Sequence, residues 1–357
     1  MQLPEMSTLV EVKGVINPAC ADLGVSPVEE ASTHPGETDT HPSDAAVKGG
    51  QEPTFEKGWN KQSGGLLHGE ELKGKPTAGC TVQEVPSAEH ESVTFAPPHT
   101  WSRASADTFA VRVGPNYSRR KRKSPSGRAL YELVAMDWFV SEGRLERVGE
   151  RVTIPKVDRG HPSAPSMFII NLQMPLELPS VMRTATNGST LHAIFYFAVT
   201  EETVKALSNP SPADPAVRLL QMYCRQACQD PTMRSRFKAL AVVHNLADLV
   251  LPRFITSFNG KPVLITRSGL LTQGHTGGKG GPMDSTAGEE EEEEGRKGID
   301  GGEDFAGYAV GSYLELDVNI RKWSFLARKG LHELRPKFGA LNLSVAFLVE
   351  GRTDDEV

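Results

Sequence analysis

Five consecutive cations, Arg119-Arg120-Lys121-Arg122-Lys123, form the densest positive charge in the chain. They follow Pro115-Asn116 and fall between two strand-like segments, so they belong to a loop. Such a run can contact anionic lipid headgroups, where each cation contributes about 1 kcal/mol near an acidic membrane. K/R-rich stretches of this length also act in nuclear import. Nucleic-acid phosphates are a third partner, disfavoured here because interleaved aromatics and a recognition helix are missing. The bland alternative, a solvated loop tip, ranks just behind membrane contact. Ser124-Pro125 lies beside the run, and phosphorylation there would lower the local charge by about 2.

A second group could do polar chemistry. Tyr313, Glu315, Asp317 and Asn319 recur with period 2, which places them on one face of a strand with Leu314, Leu316, Val318 and Ile320 on the other. Asn171 and Gln173 form a similar stripe. One reading is a polar-lined cavity that orients a lipid headgroup, with Arg236 or Lys238 as counter-charges. The favoured reading is an internal network in which Glu315 or Asp317 pairs with Arg or Lys to fix strand register. Paired carboxylates such as Glu315 and Asp317 suit acid–base work in principle, but nothing nearby supplies a nucleophile with an orienting base. His161, His192, His244 and His332 lack metal-ligand spacing. G-x-S-x-G, G-x-x-x-x-G-K and H-E-x-x-H are missing. No enzyme activity, metal or cofactor is expected. Cys20, Cys80, Cys224 and Cys228 read as reduced thiols of an intracellular protein.

The elements that carry these residues are mostly strands. Phe109–Val113, Leu130–Val140, Met167–Met174, Leu191–Val199, Arg236–His244, Ser312–Ile320 and Leu341–Val349 show strand patterning. Leu130, Val134, Met136, Trp138 and Val140 are expected on one face. Leu191–Val199 is apolar on both faces and should be central. Phe254–Phe258 and Lys261–Thr266 flank Asn259-Gly260, which predicts a hairpin with a type I′ turn. Thr200 and Asp214 read as helix caps, the second followed by Pro215 at the first helical position. A third helix is expected over Trp323–Leu334. Strands outnumber helices without alternating with them. The expected class is therefore α+β: one domain with a curved, mainly antiparallel sheet and a few helices.

Charge is segregated along the 357 residues. The formal net charge is −6, from 39 Lys+Arg and 45 Asp+Glu. Residues 1–100 hold 6 basic and 15 acidic side chains; 101–270 hold 23 and 13; 271–304 hold 3 and 10; 305–357 hold 7 of each. Residues 1–100, acidic and poor in aromatics, are expected to be disordered apart from a possible strand at Thr8–Ile16. Residues 272–304, with Glu289–Glu294, read as a low-complexity acidic insertion in an ordered domain spanning 101–357. That insertion could fold back on the basic segment. No apolar run is long enough to span a bilayer, and no secretory signal is evident.

The order of the segments resembles a known family. Phe109-Ala-Val-Arg112-Val-Gly-Pro-Asn116-Tyr117 with basic sequence after it, Met136-Asp-Trp-Phe139, and Phe168-Ile-Ile-Asn171-Leu-Gln173-Met-Pro175 are similar to its early motifs. Arg236-Phe-Lys238, Lys261-Pro262, Tyr313-Leu-Glu315-Leu-Asp317-Val-Asn-Ile320 and Phe347-Leu-Val-Glu350-Gly351 are similar to its later ones. The family is the Enhanced Disease Resistance 2 C-terminal domain of plants and protists. Val113 and the 272–304 insertion depart from its pattern, and the closing segment is shorter. The resemblance implies fold and context, and it brings no catalytic residues.

The expected function is a non-enzymatic lipid-binding or membrane-associating domain whose loop 119–123 meets an anionic surface. The alternative is a ligand-free protein-interaction or regulatory module. The expected location is the cytoplasm, with peripheral membrane contact, and the nucleus as alternative.

Overall fold

The computed structural model describes residues 8–14, 67–68, 71–85, 100–112, 117–120, 122–181, 187–209, 214–249, 251, 256–257, 259–266, 269–276, 307–353 and 356. Within them the chain is α+β. In chain order the strands are β1 (Thr8–Gly14), β2 (Leu67–His68), β3 (Gln83–Glu84), β4 (Thr100–Trp101), β5 (Ala110–Arg112), β6 (Lys123–Pro125) and β7 (Tyr131–Ser141). They continue with β8 (Met167–Pro175), β9 (Thr190–Val199), β10 (Phe237–Val243), β11 (Pro262–Leu264), β12 (Gly269–His275), β13 (Ser312–Asn319) and β14 (Leu343–Val349).

Two principal sheets result. One has the order β12-β13-β8-β9-β7-β2, the other β1-β14-β10-β11. The larger sheet is mainly antiparallel, but β8 and β13 run parallel, as do β2 and β7. All ten residues of β9 are buried, as its two apolar faces require for an inner strand.

The main core lies between the sheets. Phe195 of β9 meets Phe347 of β14 edge to face, with ring centroids 5.5 Å apart. Phe237 of β10 stacks on Phe347 at 6.0 Å and on Tyr223 at 5.6 Å. Tyr223 belongs to the helix Pro215–Gln226, which closes this core with Val217, Leu220 and Cys224. Asp214 caps that helix by accepting from Val217 N, and Thr200 caps the helix Glu201–Ser208 by accepting from Thr203 N. A second core lies on the opposite face of the larger sheet, around Phe139, Ile169, Ile194 and Tyr196.

Several expectations change. The strand expected at Thr8–Ile16 is present as β1 (Thr8–Gly14), paired with β14, and beyond that expectation Leu72 and Val82 are buried in the fold. The acidic insertion does not begin at 272, because Thr272–His275 complete β12 against β13. Its remainder, including Glu289–Glu294, lies outside the described residues. Of the Phe254–Phe258 arm expected to flank Asn259-Gly260, residues 254, 255 and 258 lie outside the described residues, and Thr256 and Ser257 are not in a strand. β11 pairs with β10, and Asn259 bonds both Val243 N and Val243 O through its side-chain amide. Gly260 has φ +67°, whereas Asn259 is not in the left-handed region that a type I′ turn needs. In β7 a bulge between Leu133 and Ala135 switches the pleat. Tyr131 and Leu133 therefore share the main core with Met136 and Trp138, while Val134 packs on the second core.

Candidate functional site

The polar stripe of β13 meets that of β8 in one buried network. The register sets Asp317 opposite Asn171 and Asn319 opposite Gln173. Asn171 Nδ2 donates to Asp317 Oδ1 at 2.6 Å and to Leu145 O at 2.9 Å. Gln173 Nε2 also donates to Leu145 O, at 3.0 Å. Asp317 Oδ2 accepts from Arg147 N at 3.0 Å, and Glu315 accepts from Val148 N at 2.6 Å and Gly149 N at 2.9 Å. Consecutive backbone N–H groups of 147–149 thus end on two carboxylates. The Tyr313 ring closes the assembly, so near Gly149 that a Cβ there would come within 2.7 Å of it. His192 Nδ1 lies 3.0 Å from Asn171 Oδ1, and His192 Nε2 lies 2.9 Å from Ser141 Oγ.

The electrostatics follow from burial. Burial and then the neighbouring Asp317 push the Glu315 carboxyl well above its ordinary range. Burial pushes Asp317 up to about 7. His192 is lowered to about 3 by burial, so its ring is neutral at physiological pH. Perturbed groups of this kind often mark active sites. Here Glu315 and Asp317 are 0% and 2% exposed, and their oxygens already hold the 145–149 segment against the sheet. Their geometry is that of a clamp.

Arg236 and Lys238 do not join this stripe, so they are not the counter-charges that the cavity reading assigned them. Arg236 Nη1 pairs with Glu356 Oε1 at 2.8 Å, and Lys238 Nζ with Glu350 Oε1 at 2.7 Å. Burial raises the Glu356 carboxyl, but hydrogen bonds from Arg352 N and the Arg236 guanidinium outweigh it and leave the group below its ordinary range. The two cations and two carboxylates tie β10 to the segment after β14.

The cationic run is at the surface. Arg119 and Arg120 end the helical turn Tyr117–Arg120, and Lys123 opens β6; they and Arg122 are exposed. None of these four makes an ion pair among the described residues. Lys121 and Asn116 lie outside the described residues. Arg112 is in β5, its backbone opposite Lys123.

A further basic feature is a cleft of about 580 Å³ between the segment Met174–Ser180 and the helix Phe325–Leu334. Arg321, Arg328, His332 and Arg335 line it, with Glu177 as the one acidic lining residue among the described residues. Arg321 engages Glu177 through two hydrogen bonds, of 2.7 and 2.8 Å. Arg328 Nη2 donates to Ser180 O at 3.1 Å and Arg335 Nη1 to Leu176 O at 2.7 Å. Arg328 Nε and His332 Nδ1 are buried atoms without a hydrogen-bond partner among the described residues. Leu178 and Val181 are each 75% exposed on one side, and Leu326 is 50% exposed on the other.

The model of the family described as Protein ENHANCED DISEASE RESISTANCE 2, C-terminal, matches residues 101–357. The chain belongs to this family. It is also similar to an Arabidopsis thaliana protein described as Protein ENHANCED DISEASE RESISTANCE 2-like, at 30% identity over 107 residues. That match covers 29% of this chain and 12% of the relative. No solved structure matches.

Seen on the fold, the motifs of this Enhanced Disease Resistance 2 C-terminal domain fall into two assemblies. The N-x-Q of β8 and the Y-x-E-x-D of β13 build the clamp. The R-F-K of β10 and the E-G after β14 build the ion-pair cluster. Sequence reasoning missed Asp137, which is buried and accepts from Gly79 N at 2.7 Å, Thr81 N at 3.0 Å and Thr81 Oγ1 at 2.8 Å. It also missed the cleft, although Arg321, Arg328 and Arg335 recur every seven residues and His332 adds an i, i+4 step from Arg328. No helix among the described residues is long and apolar enough to cross a membrane.

Proposed function

We propose that this domain is a non-enzymatic module that associates with anionic membrane surfaces. The observation that carries the proposal is the Arg119–Lys123 run, whose described members are exposed and free of ion pairs among the described residues. Five cations near an acidic surface contribute roughly 5 kcal/mol before ordering costs. The clamp supports a non-catalytic role, since its carboxylates are already engaged with backbone N–H groups. The proposed setting is cytoplasmic, at the membrane periphery.

A second reading, a protein-interaction or regulatory module of cytosol or nucleus, is favoured by one observation. The described core between the sheets is packed by ring-on-ring contacts, as a domain without an acyl-chain ligand would be. Binding to phosphatidylcholine vesicles with and without phosphatidylserine, over a salt series, separates the two. The membrane reading expects binding that needs the anionic lipid and weakens with salt. Salt-independent or absent binding favours the interaction module.

A further inference from the structure

We propose that the cleft between Met174–Ser180 and the helix Phe325–Leu334 binds a phosphomonoester headgroup presented by a lipid. This rests on the membrane reading for its setting but uses different residues. Glu177, the one acid among the described lining residues, is engaged with Arg321, so the Arg328 guanidinium is not offset by a described lining carboxylate. Guanidinium forks match phosphate oxygens in shape and charge. Arg328 Nε and His332 Nδ1 add two buried polar atoms without a partner among the described residues, and a buried group in that state costs free energy until an acceptor or donor arrives. Both residues line the cleft.

Size and surroundings point the same way. About 580 Å³ accommodates a phosphorylated headgroup. Leu178 lines the cleft, Val181 follows three residues later, and Leu326 is on the same helix as Arg328; all are large apolar residues left exposed. Exposed apolar residues grouped beside a polar site mark an interaction surface. Arginines under apolar side chains suit a bilayer interface, where the chains enter the acyl boundary and the cations stay at phosphate depth. A soluble phosphomonoester offers the same chemistry without the bilayer, and the experiment separates the two sources.

The full chain is titrated with phosphatidylcholine vesicles carrying either a monophosphorylated phosphoinositide or phosphatidylserine, matched for surface charge. Soluble inositol phosphate is measured by calorimetry. The expected result is about tenfold tighter binding to the phosphomonoester vesicles, the size of one lost charge-assisted hydrogen bond. Arg328→Gln with His332→Gln abolishes that preference and leaves phosphatidylserine binding within about twofold, since the surface run is intact. Arg328→Lys, which keeps charge and loses the fork, gives an intermediate preference, and thermal melts confirm that each variant folds. Leu178→Ser with Val181→Ser weakens vesicle binding and spares the soluble ligand. Equal affinity for both vesicles, or an unchanged preference in the Arg328 and His332 variants, overturns the proposal. Binding of inositol phosphate without vesicle preference overturns its lipid part. If no vesicle binds at all, the membrane reading fails, and loss of soluble-ligand binding in Arg328→Gln still decides whether the cleft is an anion site.

Discussion

Asn171 and Asp317 face each other on adjacent parallel strands, 146 residues apart in sequence, and are joined at 2.6 Å. That bond links the two polar stripes and holds the 145–149 segment over the sheet through Leu145 O and Arg147 N. Removing Asn171 takes a donor from Asp317 Oδ1 and the partner from His192 Nδ1, while Leu145 O keeps its bond from Gln173. Asn171→Ala is expected to cost about 1–3 kcal/mol of unfolding free energy, the range for an unsatisfied buried polar group. Urea denaturation measures the loss, and vesicle binding of the folded variant should be unchanged.

The same network makes stability depend on pH. Asp317 is raised by burial to about 7, and Glu315 is raised as well. A carboxyl whose folded pKa exceeds its unfolded value holds its proton more tightly when folded. Its contribution is complete below the unfolded value near 4 and is lost as pH rises through the folded value. Stability should therefore fall between about pH 4 and pH 7, and Asp317→Asn should flatten that part of the curve. Parallel curves for the two proteins, from urea midpoints at successive pH values, would contradict the assignment.

Gly274 tests the packing of Tyr313. A Cβ at position 274 would overlap the Tyr313 ring. Gly274→Ala is expected to destabilise by about 1–3 kcal/mol, the usual range for overpacking. Gly274→Ala combined with Tyr313→Leu should cost less than the sum of the single changes. A thermal-melt double-mutant cycle reads this coupling.

The Lys238–Glu350 pair has side chains 18% and 13% exposed, against 46% and 45% for Arg103–Glu84. Coupling between Lys238 and Glu350 is expected at about 1–2 kcal/mol, and at less than about 1 kcal/mol for Arg103 and Glu84. Equal couplings in the two cycles would remove the ion-pair cluster's claim to a structural role.

Much of this fold was legible where one physical signal dominated. β9 was legible because both of its faces are apolar, and the caps at Thr200 and Asp214 because a short polar side chain precedes each helical pattern. The Tyr313–Asn319 stripe forms an internal network, but Glu315 and Asp317 accept from backbone N–H groups of 147–149 and from Asn171, not from the Arg or Lys side chain that the favoured reading expected. Long-range partners were less legible. Nothing local to Gly79 or Thr81 points to Asp137, more than fifty residues away. A one-residue bulge moved Leu133 to the face expected for Val134, because strand periodicity is 2 and a single extra residue inverts it. The partner of β11 depended on β10, which turn chemistry at Asn259-Gly260 does not encode. The basic cleft was overlooked because the Phe325–Leu334 helix was read for its boundaries, whereas Arg328, His332 and, just past its end, Arg335 fall at i, i+4 and i+7.

The central claim is that the domain meets anionic membranes through surface cations and not through the buried stripe. Flotation of the full chain with phosphatidylserine-containing vesicles at low salt tests it most directly, comparing the unaltered protein with a variant carrying Gln at 119–123. The account predicts that the unaltered chain floats and that the variant stays at the bottom of the gradient, while Asn171→Ala, where folded, floats normally. Equal flotation of the unaltered chain and the Gln variant would contradict it.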